Sequence, residues 1–183
     1  MPLDQRPCTI YLVRHAESEV NAQVGVPTQY GSGGSPLTQR GRQQAAALAQ
    51  RFQQFPIVQV YASERLRVQE TAQILAAGQP VNTAPLLHER PDPASVDPET
   101  DAEAVARITL SLNSLARSHP GKTVVAVSHG YVMRTLLVAL GFATFDELPK
   151  DALVHTGYMQ LSSDGQQLTL VEVVGIQKAE GKR

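Results

Sequence analysis

Three short apolar runs in this 183-residue chain each end in side chains able to grip or attack an anion. Residues 9–13 run into Arg14 and His15, residues 57–61 into a segment carrying Arg65 and Arg67, and residues 123–127 into Ser128, His129 and Gly130. Arginine offers a planar, permanently charged fork that fits phosphate or carboxylate oxygens, while neutral imidazole is a nucleophile and a proton carrier. Brought to one place, two histidines and two arginines make an oxyanion pocket with a nucleophile inside it. Each alone says little, because twelve arginines and five histidines in one chain make a chance Arg-His pair ordinary. Convergence of three strand ends is what gives them meaning.

Such convergence needs a fold that lines strand ends up. The three runs are rich in β-branched residues and read as buried strands. Between the first two, a helix opens at Thr38, carries Ala45, Leu48, Phe52 and Phe55 on one stripe, and stops at Pro56. A second helix is expected over residues 64–77, ending at Gly78 as a left-handed cap. A third opens with the capping pair Thr100 and Glu103 and carries Val105, Ile108, Leu112 and Leu115. A fourth follows Gly130 and runs to Leu140, with Gly141 just beyond it. Residues 158–161 and 168–173 flank Asp164-Gly165, as a hairpin would. Strand alternating with helix predicts an α/β class, a three-layer αβα sandwich around a mainly parallel sheet, with ligands beyond the carboxyl ends of the strands. Residues 22–36 and 88–98 read as loops, either near the working end or as plain surface connections.

Composition narrows the function further. Sixteen basic against seventeen acidic side chains leave a net charge of −1, so no global field draws the chain to nucleic acid or a membrane surface. Cys8 is the single cysteine, which excludes an internal disulfide and suits a reducing compartment. No stretch approaches the ~20 apolar residues of a membrane span, and the first residues lack a signal peptide's apolar run. The expectation is one soluble, cytoplasmic domain over residues 1–183. No metal or cofactor is expected, since the usual ligand spacings of Cys, His and carboxylate are missing.

Four segments in order resemble the histidine phosphatase superfamily, in its phosphoglycerate-mutase-like branch. LVRHAESEVN is similar to that family's Arg-His-Gly-Glu-x-x-x-Asn signature, with Ala16 where Gly is usual. SPLTQRGRQQA, SERLRVQETA and VVAVSHGYVMRTLL are similar to its helix opening, its Ser-x-x-x-Arg-x-x-x-Thr-Ala segment and its second-histidine strand and helix. The resemblance implies two-step phosphoryl transfer with His15 as nucleophile and a phosphohistidine that water then hydrolyses. Arg14 and Arg67 would bind the phosphoryl oxygens and disfavour protonation of His15. His129 would donate to those oxygens, Asn21 would complete the cage, and the helix opened by Gly130 would offer free amides and its dipole. Family resemblance also points to Glu89 as proton donor, with Asp92 and Asp97 as substitutes; otherwise Glu89 is a loop carboxylate paired with Arg90.

Other residues receive plainer readings. His119, at a helix end, would suit the dipole as a cation, and His155 is expected in a loop near the site mouth. Arg40 and Arg42 belong to a solvated first turn, and Ser18 and Thr38 cap or brace.

The substrate implied is a small phosphorylated molecule. Residues 22–35 carry no charge, whereas phosphoglycerate-handling relatives usually place an Arg there, and the long basic insertion of true mutases is missing. A phosphatase is therefore expected rather than a mutase. Two alternatives stand beside it: a protein-phosphohistidine phosphatase and a phosphate-binding regulatory module without turnover.

Overall fold

The β-branched runs form the middle of a six-stranded sheet. In this computed structural model, which describes residues 6–22, 34–89 and 98–178, the strands are β1 (Cys8–Arg14), β2 (Ile57–Ala62), β3 (Val81–Thr83), β4 (Thr123–Ser128), β5 (Leu153–Ser163) and β6 (Leu168–Ile176). The helices are α1 (Gln39–Phe52), α2 (Leu66–Ala76), α3 (Asp101–Ser118) and α4 (Gly130–Ala139), with a short 3-10 turn at Pro85–Leu87. The sheet order is β3-β2-β4-β1-β5-β6. The first three pairings are parallel and the last two antiparallel.

Period-two alternation divides the core between the two faces of the sheet. Ile10, Leu12, Val124 and Ala126 face α3 and α4 and pack with Ile108, Leu112, Met133 and Leu136. Tyr11, Val13, Val125 and Val127 face α1 and α2 and pack with Leu48, Phe52, Val68 and Ala72. Full burial of each such aliphatic side chain contributes about 1.5–3 kcal/mol, so both layers hold the sheet firmly. Among the described residues no helix is long and apolar enough to cross a membrane.

Register sets the working end. Thr9 pairs with Thr123 and Arg14 with Ser128, while Ala62 pairs with Val127. His15, Ser63 and His129 therefore leave the sheet at one level from three adjacent strands.

Five local features differ from expectation. α1 ends at Phe52, and Phe55 lies beyond it in a turn whose N–H donates to the Phe52 carbonyl. Pro56 disfavours helical backbone at Phe55, yet that ring still packs 5.0 Å from Tyr11. α2 starts at Leu66, with Arg65 as its N-cap. The left-handed turn after α2 begins at Ala77 (φ 49°) and continues through Gly78 (φ 93°). The three-residue β3, which carries no apolar pattern, was not anticipated, and β5 reaches back to Leu153, which places His155 in a strand rather than a loop.

Candidate active site

The backbone after β1 is tied down before its side chains are aimed. His15 N–H donates to the Ser128 carbonyl at 3.0 Å. Ala16 N–H donates to Thr71 Oγ1 at 3.1 Å, and that hydroxyl donates to the Arg67 carbonyl at 2.7 Å. The loop bearing His15 and the first turn of α2 bearing Arg67 are thus tied through one hydroxyl.

Arginine can only donate, and this assigns the tautomer of each neighbouring imidazole. Arg67 Nε donates to His15 Nε2 at 3.1 Å, so the His15 proton sits on Nδ1 and is given to the Ala16 carbonyl at 2.8 Å. Arg67 Nη2 donates to His129 Nδ1 at 3.1 Å, so His129 Nε2–H donates to Ser63 Oγ at 2.8 Å. The His15 and His129 rings meet nearly edge to face, 5.4 Å apart, with 3% and 0% of their surface exposed. In this arrangement both nitrogens of His129 are engaged by the protein, Nδ1 accepting from Arg67 and Nε2–H given to Ser63.

Arg14 lies against the start of α4, where a methyl group on Gly130 would come within 2.9 Å of Nε. Its Nη1 donates to the Leu153 carbonyl and its Nη2 to His155 Nε2 at 3.3 Å. The His155 ring stands 5.9 Å from that of His15.

Electrostatics follow from burial and from the two cations. Desolvation, then Arg67, hold His15 well below the ordinary imidazole range against an opposing pull from the Ala16 carbonyl, and Arg14 adds a smaller push in the same downward direction. His129 is pushed the same way by burial, then by His15 and Arg67. Burial and Arg14 lower His155 to about 4. All three rings are neutral at neutral pH. Burial lowers Arg14 and Arg67 from the usual guanidinium value, and Glu89 works against that shift at both.

The structure brings Arg14, His15, Arg67, His129 and Gly130 together and places the other candidates nearby in different settings. Glu89 accepts from the amides of Tyr131 (3.3 Å) and Val132 (3.0 Å), so two α4 amides expected to be free are already engaged. Asn21 is exposed, and its carbonyl oxygen accepts from Ser18 N and Oγ at 3.2 and 2.8 Å. Arg65 is exposed at the N-cap of α2. Asp92, Asp97 and Arg90 lie outside the described residues. Arg40 and Arg42 meet Glu17 and Glu70 at the surface, and Thr38 caps α1 by accepting from Gly41 N–H at 2.9 Å. His119 is corrected: burial lowers its pKa and Tyr61 Oη lies 2.7 Å from its Nε2, a setting that favours the neutral ring. Sequence reading gave Ser63 no role, although it opens the segment that holds Arg67. Among the described residues no three of His, Cys, Asp or Glu gather as metal ligands.

Residues 10–91 and 88–174 match the histidine phosphatase superfamily (branch 1). Over 107 residues the chain is 37% identical to the probable phosphoglycerate mutase GpmB of Enterobacter sp. (strain 638), covering 55% of this chain and 48% of that one. The chain spans less than half the length of the curated relatives it matches. The structure of phosphoserine phosphatase from Entamoeba histolytica, in complex with 3-phosphoglyceric acid, superposes with a TM-score of 0.72 at 22% identity, over 93% of this chain and 98% of that one. Phosphoglycerate mutase from Bacillus anthracis str. Sterne superposes with a TM-score of 0.75 at 17% identity, over 96% of each chain. Both show the same α/β fold.

Proposed function

The chain belongs to the histidine phosphatase superfamily (branch 1), and on that premise we propose that it is a metal-independent phosphatase acting on a small phosphomonoester through a phosphohistidine at His15. One observation carries the reading: His15 Nε2 is buried, unprotonated and aimed at a guanidinium, while Nδ1 is fixed by the Ala16 carbonyl. That lone pair attacks phosphorus in line as the bond to the leaving oxygen breaks. Arg14 and Arg67 take the equatorial oxygens, where transition-state charge spreads, and so supply the positive charge a metal would otherwise bring. His129 and Ser63 keep Arg67 in plane for that task. The leaving oxygen takes a proton, for which Glu89 is the proposed donor. Water then attacks phosphorus as the bond to His15 Nε2 breaks and returns the electron pair to that nitrogen, the water proton passes to the same carboxylate, and inorganic phosphate departs.

Mutase chemistry needs a partner for a second anionic group and shelter of the phosphoenzyme from water. The uncharged stretch over residues 22–35 offers no such partner, which supports hydrolysis. Hydrolysis of p-nitrophenyl phosphate in EDTA, by wild type and His15→Ala, tests the reading. The variant should lose about 10³-fold or more; equal rates would leave only a phosphate-binding module.

The hold of Tyr131 and Val132 on Glu89 favours one second reading, a protein-phosphohistidine phosphatase. A leaving imidazole nitrogen needs less help from an acid than an alkoxide does. Glu89→Gln keeps an oxygen for the Val132 amide, the shorter of the two contacts, gives up the longer one to Tyr131, and removes the transferable proton. It should cripple monoester hydrolysis under the first reading and leave phosphohistidine turnover nearly intact under the second.

A further inference from the structure

The side chain that fixes Arg14 comes from the part of β5 that lies ahead of residues 158–161, the stretch that the sequence marks as a hairpin arm. Two of the contacts on the Arg14 guanidinium belong to β5: the Leu153 carbonyl at Nη1 and His155 Nε2 at Nη2. The third neighbour, Gly130, offers space without an acceptor, and Nε is buried with no hydrogen-bond partner among the described residues. The direction of the guanidinium is therefore set by β5, although the arginine itself stands at the end of β1.

β5 is locally irregular where it does this. Its pairing with β6 shifts between Leu153 and Tyr158, and Thr156 adopts φ 61°, a sparsely populated conformation for a β-branched residue. A side chain on Gly157 would meet the carbonyls of Gly175 and Val154 at 2.9 Å, so glycine is required for the strands to close around the irregularity. Backbone strain of this kind concentrates at functional positions. Its result here is an imidazole between the Arg14 fork and the His15 ring.

We propose that His155 is a positioning residue, whose neutral ring accepts from Arg14 Nη2 and holds the guanidinium where it receives a phosphoryl oxygen. The inference rests on the phosphatase reading above and deepens it. Neutrality is essential, because a proton on Nε2 would face the Arg14 fork and abolish the acceptor. The charged and titratable groups facing the ring agree with that state: Arg14 and His15 from β1 and its end, Glu17 from the loop after it, and Arg40 from α1. Glu17 alone among them draws a proton toward His155, and burial and the two arginines outweigh it.

The test uses the full chain as wild type, His155→Gln and His155→Leu. Inorganic phosphate binding is measured by calorimetry at neutral pH, alongside KM and kcat for p-nitrophenyl phosphate and the melting temperature. Gln places an amide oxygen where Nε2 was; Leu keeps bulk without an acceptor. The Leu variant should bind phosphate roughly ten-fold more weakly, with KM rising in step and kcat changing less, and Gln should recover most of the loss. If Leu fails to fold, His155→Asn, too short to reach Arg14, replaces it with the same expectation. Wild-type phosphate affinity in the acceptor-less variant overturns the proposal, as does a Gln variant no better than Leu. Wild-type protein that binds no phosphate overturns the phosphatase reading together with it.

Discussion

Arg67 points its Nε hydrogen at His15 Nε2, 3.1 Å away, the nitrogen left without a proton once Nδ1–H is given to the Ala16 carbonyl. One guanidinium thus keeps His15 Nε2 unprotonated and, through Nη2, holds His129 as well. Lysine cannot reproduce this, because an ammonium is a point charge without the planar fork. Arg67→Lys should lower kcat/KM for a phosphomonoester by about 10²–10³. A change below ten-fold in steady-state assays would show that charge alone suffices.

Acid should unfold the protein earlier than its carboxylates alone would dictate. His15, His129, His155 and His119 are all lowered in the folded state, with burial the largest cause at each. An unfolded imidazole takes up a proton near pH 6.5, while the buried rings resist. The unfolded chain then binds more protons, so stability is full above about 6.5 and falls as pH drops toward the folded values. Glu99 and Asp164, also lowered, lose their contribution only at lower pH, from the ordinary carboxylate range down to their folded values. The melting temperature should therefore fall between about pH 7 and pH 5, and less steeply in His155→Gln. A level profile over that window would contradict neutral buried imidazoles.

Gly130 matters for space. A methyl group there would meet Arg14 Nε at 2.9 Å and Cζ at 3.1 Å, in a guanidinium already fixed from the far side by Leu153 and His155. Gly130→Ala should leave α4 intact, since alanine favours helix, but displace the Arg14 fork. Phosphate affinity should drop roughly ten-fold or more with little change in melting temperature, and titration with inorganic phosphate reads the effect directly. Unchanged affinity would mean that Arg14 does not hold the anion.

Much of this arrangement was legible in the sequence because its positioning information is local. β-branched runs mark β1, β2 and β4, and level pairing of Arg14 with Ser128 turns three short motifs into one cluster. The place of His155 near the site was legible but its strand setting was not, since Thr156 at positive φ and Gly157 break the period-two pattern that would have marked β5 earlier. The hold of Tyr131 and Val132 on Glu89 joins a loop to a helix some forty residues later, a pairing that no spacing rule encodes. The engagement of Asn21 with Ser18 is an ordinary local brace, chemically indistinguishable in sequence from a ligand-binding amide.

A last test concerns how the His15 loop is anchored from outside the site. Glu17 lies across the first turn of α1: its carbonyl accepts from Thr38 N–H at 3.0 Å and its N–H donates to Gln44 Oε1 at 3.0 Å. Gly41 makes that approach possible, because a side chain there would sit 2.0 Å from the Glu17 carbonyl oxygen and 2.9 Å from its carbon. Neither atom can yield cheaply, as both are backbone two residues from His15. Gly41→Ala should cost about 3 kcal/mol, a drop of roughly 6–12 °C in melting temperature at this chain length, and should lower activity well below the transition. Gly141→Ala supplies the comparison: its φ of 73° is strained but nothing lies within 4 Å of the added methyl, so the cost should stay near 1–2 kcal/mol with activity preserved. Equal losses in the two variants, measured by thermal melts and p-nitrophenyl phosphate turnover, would show that the close contact with Glu17 does not hold His15 in place.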